Sequence, residues 1–223
     1  MLDAFCGCGT AISVAEQLGR GWIGVDVTHL AIALIRHRLK FQFQEQLSPY
    51  EVKGDPKDLA SAIALAELDR YQFEWWALGL IDARPARGQK KGADRGVDGH
   101  LPFFVDESGI VRKAVVQVKS GHVNRSQIGD LNNARIREKA ELGIFITLEE
   151  PTKQMKQEAL AAGFYEPGFC PKVPRMQILS IEELLDGRRP ELPNRALVDT
   201  YKKPPRRQKG KEPEQQRLFK SGA

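Results

Sequence analysis

The chain has 223 residues, 41% of them hydrophobic, and a formal net charge of +5. That length suits one or two domains with a proper core, and no run approaches the roughly 18 apolar residues a membrane helix needs. The charge sits in the tail: Tyr201 to Ala223 carries eight Lys/Arg against Glu212 and Glu214, a net +6 that leaves residues 1–200 at −1. A Pro- and Lys-rich tail of this kind suits either a disordered, salt-sensitive contact with nucleic acid or a solubilising extension. Cys6, Cys8 and Cys170 are too few and too scattered for a disulfide framework or a zinc site. The N-terminus lacks a basic-then-apolar leader, so the expected setting is reduced and cytoplasmic.

Residues 1–47 read as strand, Gly-rich turn, helix, strand, helix. Met1 to Phe5 is a short strand, and Cys6-Gly7-Cys8-Gly9-Thr10 is a tight loop opening a helix to about Leu18. Gly19-Arg20-Gly21 stops that helix, Trp22 to Val27 is the next strand, and Thr28 can N-cap a helix to about Gln46. Glycines after a first parallel strand let a ligand approach the backbone at a helix N-terminus, and an acid ending the second strand, Asp26, can take ribose hydroxyls. Two parallel strands with two helices cannot bury both faces of a sheet. The segment is therefore expected to pack on a second domain or to depend on a missing N-terminal partner.

Ser48 to Lys57 is a linker by its Pro, Gly and charge content. Helices follow at roughly Pro56 to Glu67, with Asp55 as N-cap, and Leu68 to Ala83, where Phe73, Trp76, Ala77, Leu80 and Ile81 repeat at helical spacing. Glu74 lies between Phe73 and Trp75, and on helix position alone it is a solvated outer-face residue. Beyond the hairpin described next come a helix from about Asn124 to Lys139, a buried strand at Leu142 to Thr147, and a helix at Thr152 to Ala162. A strand at Met176 to Ser180 and a short helix at Ile181 to Asp186 complete a mixed α/β sheet with flanking helices.

Gly92 to Gly121 reads as two strands around the turn Asp106-Glu107-Ser108-Gly109. If residue 105 pairs with 110, the antiparallel register sets Asp98 opposite Gln117. Period-2 alternation then places Asp98, Gln117 and Lys119 on one face, and His100 with them. The other face collects Leu101, Phe103, Val105, Ile110, Ala114, Val116 and Val118. Phosphodiester hydrolysis asks for a divalent metal and a cation for developing charge. Mg²⁺ takes oxygen ligands and only one or two carboxylates: Asp98 offers a carboxylate, Gln117 an amide oxygen, and the carbonyl of Val118 a third. Lys119, roughly 6 to 7 Å further along the strand, can orient water or stabilise the phosphate. The bland alternative makes Asp98 a turn residue and Lys119 a surface lysine.

Two resemblances sharpen this. LDAFCGCGT followed by GRGWIGVDVTHLAIAL resembles the S-adenosylmethionine-binding segment of amino-methylating (N6-adenine or N4-cytosine) DNA methyltransferases. The resemblance implies Asp3, Phe5, Gly7, Gly9 and Thr10 beside the methionine and Asp26 on the ribose. Ala4 stands where that family usually has Pro, and its Pro-Pro-aromatic catalytic tetrapeptide is absent, so the segment looks like the C-terminal part of such a domain. FEWWALGL, GADRGVDG, VVQVK and LGIFIT, in that order, resemble the Mrr-like branch of the PD-(D/E)XK nucleases from about Asp69 to Leu185. That implies Glu74, Asp98, Gln117 and Lys119 as the active site.

The expected fold is α/β: a PD-(D/E)XK nuclease fold, a mixed sheet with flanking helices, preceded by a partial Rossmann-like methyltransferase segment. The expected divisions are residues 1–47 for that segment, 48–67 for a linker and helix, 68–190 for the nuclease domain and 191–223 for the basic tail. The leading expectation is a Mg²⁺-dependent DNA endonuclease in a fused restriction-modification protein. Lys90, Lys91, Arg95, Lys113 and Arg125 would contact phosphates, and a homodimer would cut both strands. One alternative is methyl transfer from S-adenosylmethionine with the nuclease fold holding DNA. Another is a DNA-binding module without catalysis.

Overall fold

The computed structural model describes residues 1–86, 96–105, 109–168 and 171–194. Lys90, Lys91, Arg95, Cys170, the turn at 106–108 and the tail lie outside them. The N-terminal unit is β1 (Leu2–Asp3), α1 (Thr10–Gln17), β2 (Ile23–Gly24) and α2 (His29–Phe43), closed by a 3₁₀ turn at Gln44–Gln46. β1 and β2 pair in parallel. Thr28 caps α2 as its sequence suggests, its side chain accepting from the Ala31 N–H. Gly9, the N-cap of α1, has φ +73, and a Cβ there would come within 2.6 Å of Ile35, so only glycine lets the loop close on α2.

One face of this small sheet is covered by the helices, through Cys6, Ile12, Ile35 and Leu39. The other is bare: Leu2, Ile23, Val25 and Val27 are 69, 63, 50 and 86% exposed. The expectation of a second-domain contact is met on the helix side, where α2 packs along α4 (Arg70–Leu80). A Cβ on Gly79 of α4 would stand 3.0 Å from that of Ala33, so glycine sets how closely the helices approach. His29 N–H donates to Gln72 and Lys40 pairs with Asp82 across the same seam.

The larger body begins with α3 (Leu59–Leu68) and α4. The cap of α3 is Asp58, in a reciprocal box with Ser61, and not Asp55. Asp55 is drawn instead to His29 and Arg36, at 3.0 and 2.8 Å, a stronger demand on a carboxylate than one backbone N–H. Asp69 caps α4 through the Tyr71 and Gln72 N–H groups, which starts that helix two residues later than its apolar periodicity suggests. A five-stranded sheet follows, in the order β3 (Arg84–Pro85), β4 (Gly99–Phe104), β5 (Val111–Lys119), β6 (Leu142–Thr147) and β9 (Met176–Ser180). The first three strands run antiparallel and the last three parallel.

Helix α5 (Arg125–Arg137) is the crossover from β5 to β6. Helix α6 (Lys153–Ala161) leads through a small ribbon, β7 (Phe164–Tyr165) and β8 (Val173–Pro174), into β9, and α7 (Ile181–Leu185) closes the body. Both faces of the sheet are covered, as its parallel half requires. Phe73, Trp76, Leu101, Phe103, Val116, Val118 and Ile144 form the core beneath α3, α4 and α7. Val115, Ile128, Leu131, Phe145, Met155 and Met176 form the second, beneath α5 and α6. Each wholly buried Phe or Leu contributes about 1.5–3 kcal/mol. α3, assigned to the linker segment by the sequence reading, buries Ala62 in the first core.

Candidate active site

The β4–β5 ladder pairs Gly99 with Val116 and Phe104 with Val111, and the Val105 N–H donates to the Ile110 carbonyl at 3.0 Å. That is the register read from the sequence as far as Gly99; beyond it Asp98, expected across from Gln117, bonds through its N–H to Val116, the residue already paired with Gly99. Leu101, Phe103, Ala114, Val116 and Val118 reach the α4-side core. Val105 is only half-buried and Ile110 is exposed, since both lie at the turn end of the hairpin.

The opposite face is not the open polar surface that alternation alone suggests. Val115 lies on it, fully buried beneath α5, and Gln117 is only 6% exposed. The α5 crossover roofs this face, a long-range arrangement no hairpin pattern contains.

Alternation also breaks just ahead of β4. Val97 joins the α5-side core, and Asp98 bonds across the ladder twice, its N–H to the Val116 carbonyl at 2.9 Å and its carboxylate Oδ2 from the Val118 N–H at 2.7 Å. The Asp98 side chain is thereby held against the strand that carries Gln117 and Lys119. Gln117 supplies the second element: its Oε1 is buried without a hydrogen-bond partner among the described residues. Left so, a buried acceptor costs about 1–3 kcal/mol.

Val118 supplies the third. Odd-numbered carbonyls of β5 turn to β6, as Lys113 and Lys119 accept from Glu141 and Leu148, while Ile110 and Val116 accept from the β4 side. The Val118 carbonyl therefore points towards the Asp98 side, past the start of β4. One carboxylate and two neutral oxygens are the donor set of a hard cation. Among the described residues no group of His, Cys, Asp and Glu alone assembles to hold a metal. The residues present fit a cation bound through Asp98, the Gln117 amide and the Val118 carbonyl.

Lys119, half-buried, ends β5 opposite Thr147 of β6 and has the parity of Gln117. Glu74 is half-buried on α4, one helical turn from Leu78. The Leu78 side chain in turn occupies the space a Cβ on Gly99 would need, so Glu74 shares a helix stripe with the residue that touches Asp98's neighbour.

His100, paired with Val115, meets Glu138, the C-cap of α5, at 2.9 Å, and Glu138 also takes Lys113 at 3.1 Å. The hydrogen bond from His100, with help from Lys113 and against the opposing effect of burial, holds the Glu138 carboxyl below its usual value. Two of the cations expected on DNA phosphates are thus in ion pairs, Lys113 with Glu138 and Arg125 with Glu158. Lys113 is six residues before Lys119, about 20 Å away along the strand.

Of the residues expected around S-adenosylmethionine at the N-terminal unit, Gly7 and Asp26 meet, the Gly7 N–H donating to the Asp26 carboxylate. A cavity of about 960 Å³ runs beside β2, lined by Asp26, His29, Arg36, Tyr50 and Asp55 among others, but Asp3, Phe5, Gly7, Gly9 and Thr10 do not line it. Phe5 is 88% exposed. Both carboxylate oxygens of Asp26 are engaged, Oδ2 by the Gly7 N–H and Oδ1 by the Thr28 N–H and hydroxyl. Burial pushes the Asp26 carboxyl up, but bonds from Thr28, Gly7 and Val27 outweigh it and leave it below its usual value.

Residues 65–167 match the profile of the family Mrr_cat, described as restriction endonuclease. Among solved structures the chain is similar to the DNA modification-dependent restriction endonuclease AspBHI, at 16% identity, a TM-score of 0.43, and coverage of 63% of this chain. The similarity spans 39% of that longer enzyme. No curated protein matches the chain. Among the described residues no helix is long and apolar enough to cross a membrane.

Proposed function

We propose that the domain matched over residues 65–167 is a working, metal-dependent DNA endonuclease with Asp98, Gln117, Lys119 and Glu74 as its active site. The observation that carries this reading is the buried Gln117 oxygen without a hydrogen-bond partner among the described residues, next along β5 to Val118, whose N–H holds the Asp98 carboxylate. A stability-driven core would fill that place with an apolar side chain, whereas a cation ligand needs an oxygen there. A divalent cation, when bound by Asp98, Gln117 and the Val118 carbonyl, would polarise the phosphate and lower the pKa of water.

The chain's own groups do the rest. The Val118 N–H fixes the Asp98 carboxylate against the strand that carries Gln117 and Lys119. The Lys119 ammonium neutralises charge building on the phosphate oxygens. Glu74, the one acid on α4, orients water or a cation-bound ligand from the helix side. Lys90, Lys91 and Arg95 approach along the DNA backbone with the basic tail, giving affinity that falls with salt. Cutting both strands takes two copies.

In the same reading residues 1–47 are a methyltransferase remnant, part of a fused restriction-modification protein, and the α2–α4 seam attaches it to the nuclease body. The test is plasmid incubated with the protein and Mg²⁺, with and without EDTA. The parent should nick or linearise the DNA and EDTA should abolish it; equal cutting by Asp98→Ala and Lys119→Ala would sink the proposal.

A further inference from the structure

The strand pair that would hold the cation carries little charge. Among the described residues of the hairpin Asp98 is the sole carboxylate, with one oxygen held by the Val118 N–H at 2.7 Å. The Gln117 oxygen and the Val118 carbonyl are neutral, and Lys119 adds a positive charge two residues on. The set therefore sums to zero, or to −1 once Glu74 is included. Cation sites of useful affinity are tuned by their ligand charge count, and Mg²⁺ in particular gives up its water reluctantly. Nothing in this set offsets that reluctance unless a further anionic oxygen arrives.

We propose, resting on the endonuclease reading, that this site takes its divalent cation together with a DNA phosphate and not before it. Gln117 is the residue that sets this order. A buried oxygen acceptor without a hydrogen bond is a ligand already in place, yet it brings no charge. A non-bridging phosphate oxygen supplies the missing negative charge at the moment the substrate is seated. An acid at position 117 would instead load the cation beforehand. The consequence is a nuclease with no assembled site in the absence of DNA, which limits stray hydrolysis of small phosphate esters.

The decisive measurement is Mn²⁺ binding, read from the electron paramagnetic resonance of the free ion. The full chain is titrated alone and with a short phosphorothioate duplex that keeps the phosphate charge and slows cleavage, and the duplex's own binding is subtracted. The parent should bind Mn²⁺ about tenfold or more tightly with the duplex than without it. Gln117→Glu should bind it without DNA, closing most of that gap. Equal Mn²⁺ affinity of the parent with and without duplex would overturn the order proposed. So would a Gln117→Glu protein, folded by circular dichroism, whose DNA-free affinity is unchanged.

Failure of the underlying reading looks different: no Mn²⁺ is bound in any arm, or Asp98→Ala binds it as the parent does. Either result would remove the order together with the site.

Discussion

The Asp98 carboxylate accepts the Val118 N–H at 2.7 Å, so the acid proposed for catalysis also closes the ladder beyond the last β4 pair. The two roles separate by substitution. Asp98→Asn keeps an acceptor oxygen for Val118 and loses the charge; its stability should stay within about 1 kcal/mol of the parent. Asp98→Ala loses both and should cost about 1–3 kcal/mol in urea unfolding. Plasmid cleavage should fall about 100-fold or more in both. An active Asp98→Asn protein would return Asp98 to a purely structural role.

Gln117 makes the opposite test. Leucine has a similar volume and no oxygen to leave unpartnered, so Gln117→Leu should be neutral or stabilise the fold by about 1–2 kcal/mol. Cleavage should nonetheless be lost. Unfolding midpoint and nicking rate move in opposite directions only if the amide is kept for function; a destabilised Gln117→Leu would assign it to the fold.

Acid stability should report the His100–Glu138–Lys113 cluster. The folded-state value of Glu138 is depressed, first by the hydrogen bond from His100, so the unfolded chain takes up its proton more readily than the folded one. Its contribution is full above the usual carboxyl value of 4.5 and is lost as pH falls through the lower folded value. Glu138→Gln should flatten that acid limb, measured as the unfolding midpoint between pH 5 and 3. An unchanged profile would show that the cluster does not titrate with folding.

The sequence legibly contained the hairpin register, the order of the major helices and strands, and the identity of the polar residues at the strand ends. Those features rest on local rules: turn residues, period-2 alternation, and the cap Thr28, which accepts from the Ala31 N–H. The short strands Arg84–Pro85, Phe164–Tyr165 and Val173–Pro174 went unseen, since two residues carry no period. Asp55 reads as a cap in the sequence, but its partners are His29 and Arg36, 26 and 19 residues away, which no local rule contains.

What only tertiary structure decided is the state of each side chain once the layers close. Burial beneath the α5 crossover turned Gln117 from one polar residue on an open face into an oxygen without a partner. Cross-strand bonding turned Asp98 from a member of a face into a clamp on Val118. Packing of α2 on α4 took the N-terminal segment into the body by one side and left its apolar sheet face bare on the other. Alternation in a sequence assigns a residue to a face; whether that face meets water, a helix or nothing depends on chain that arrives from far away.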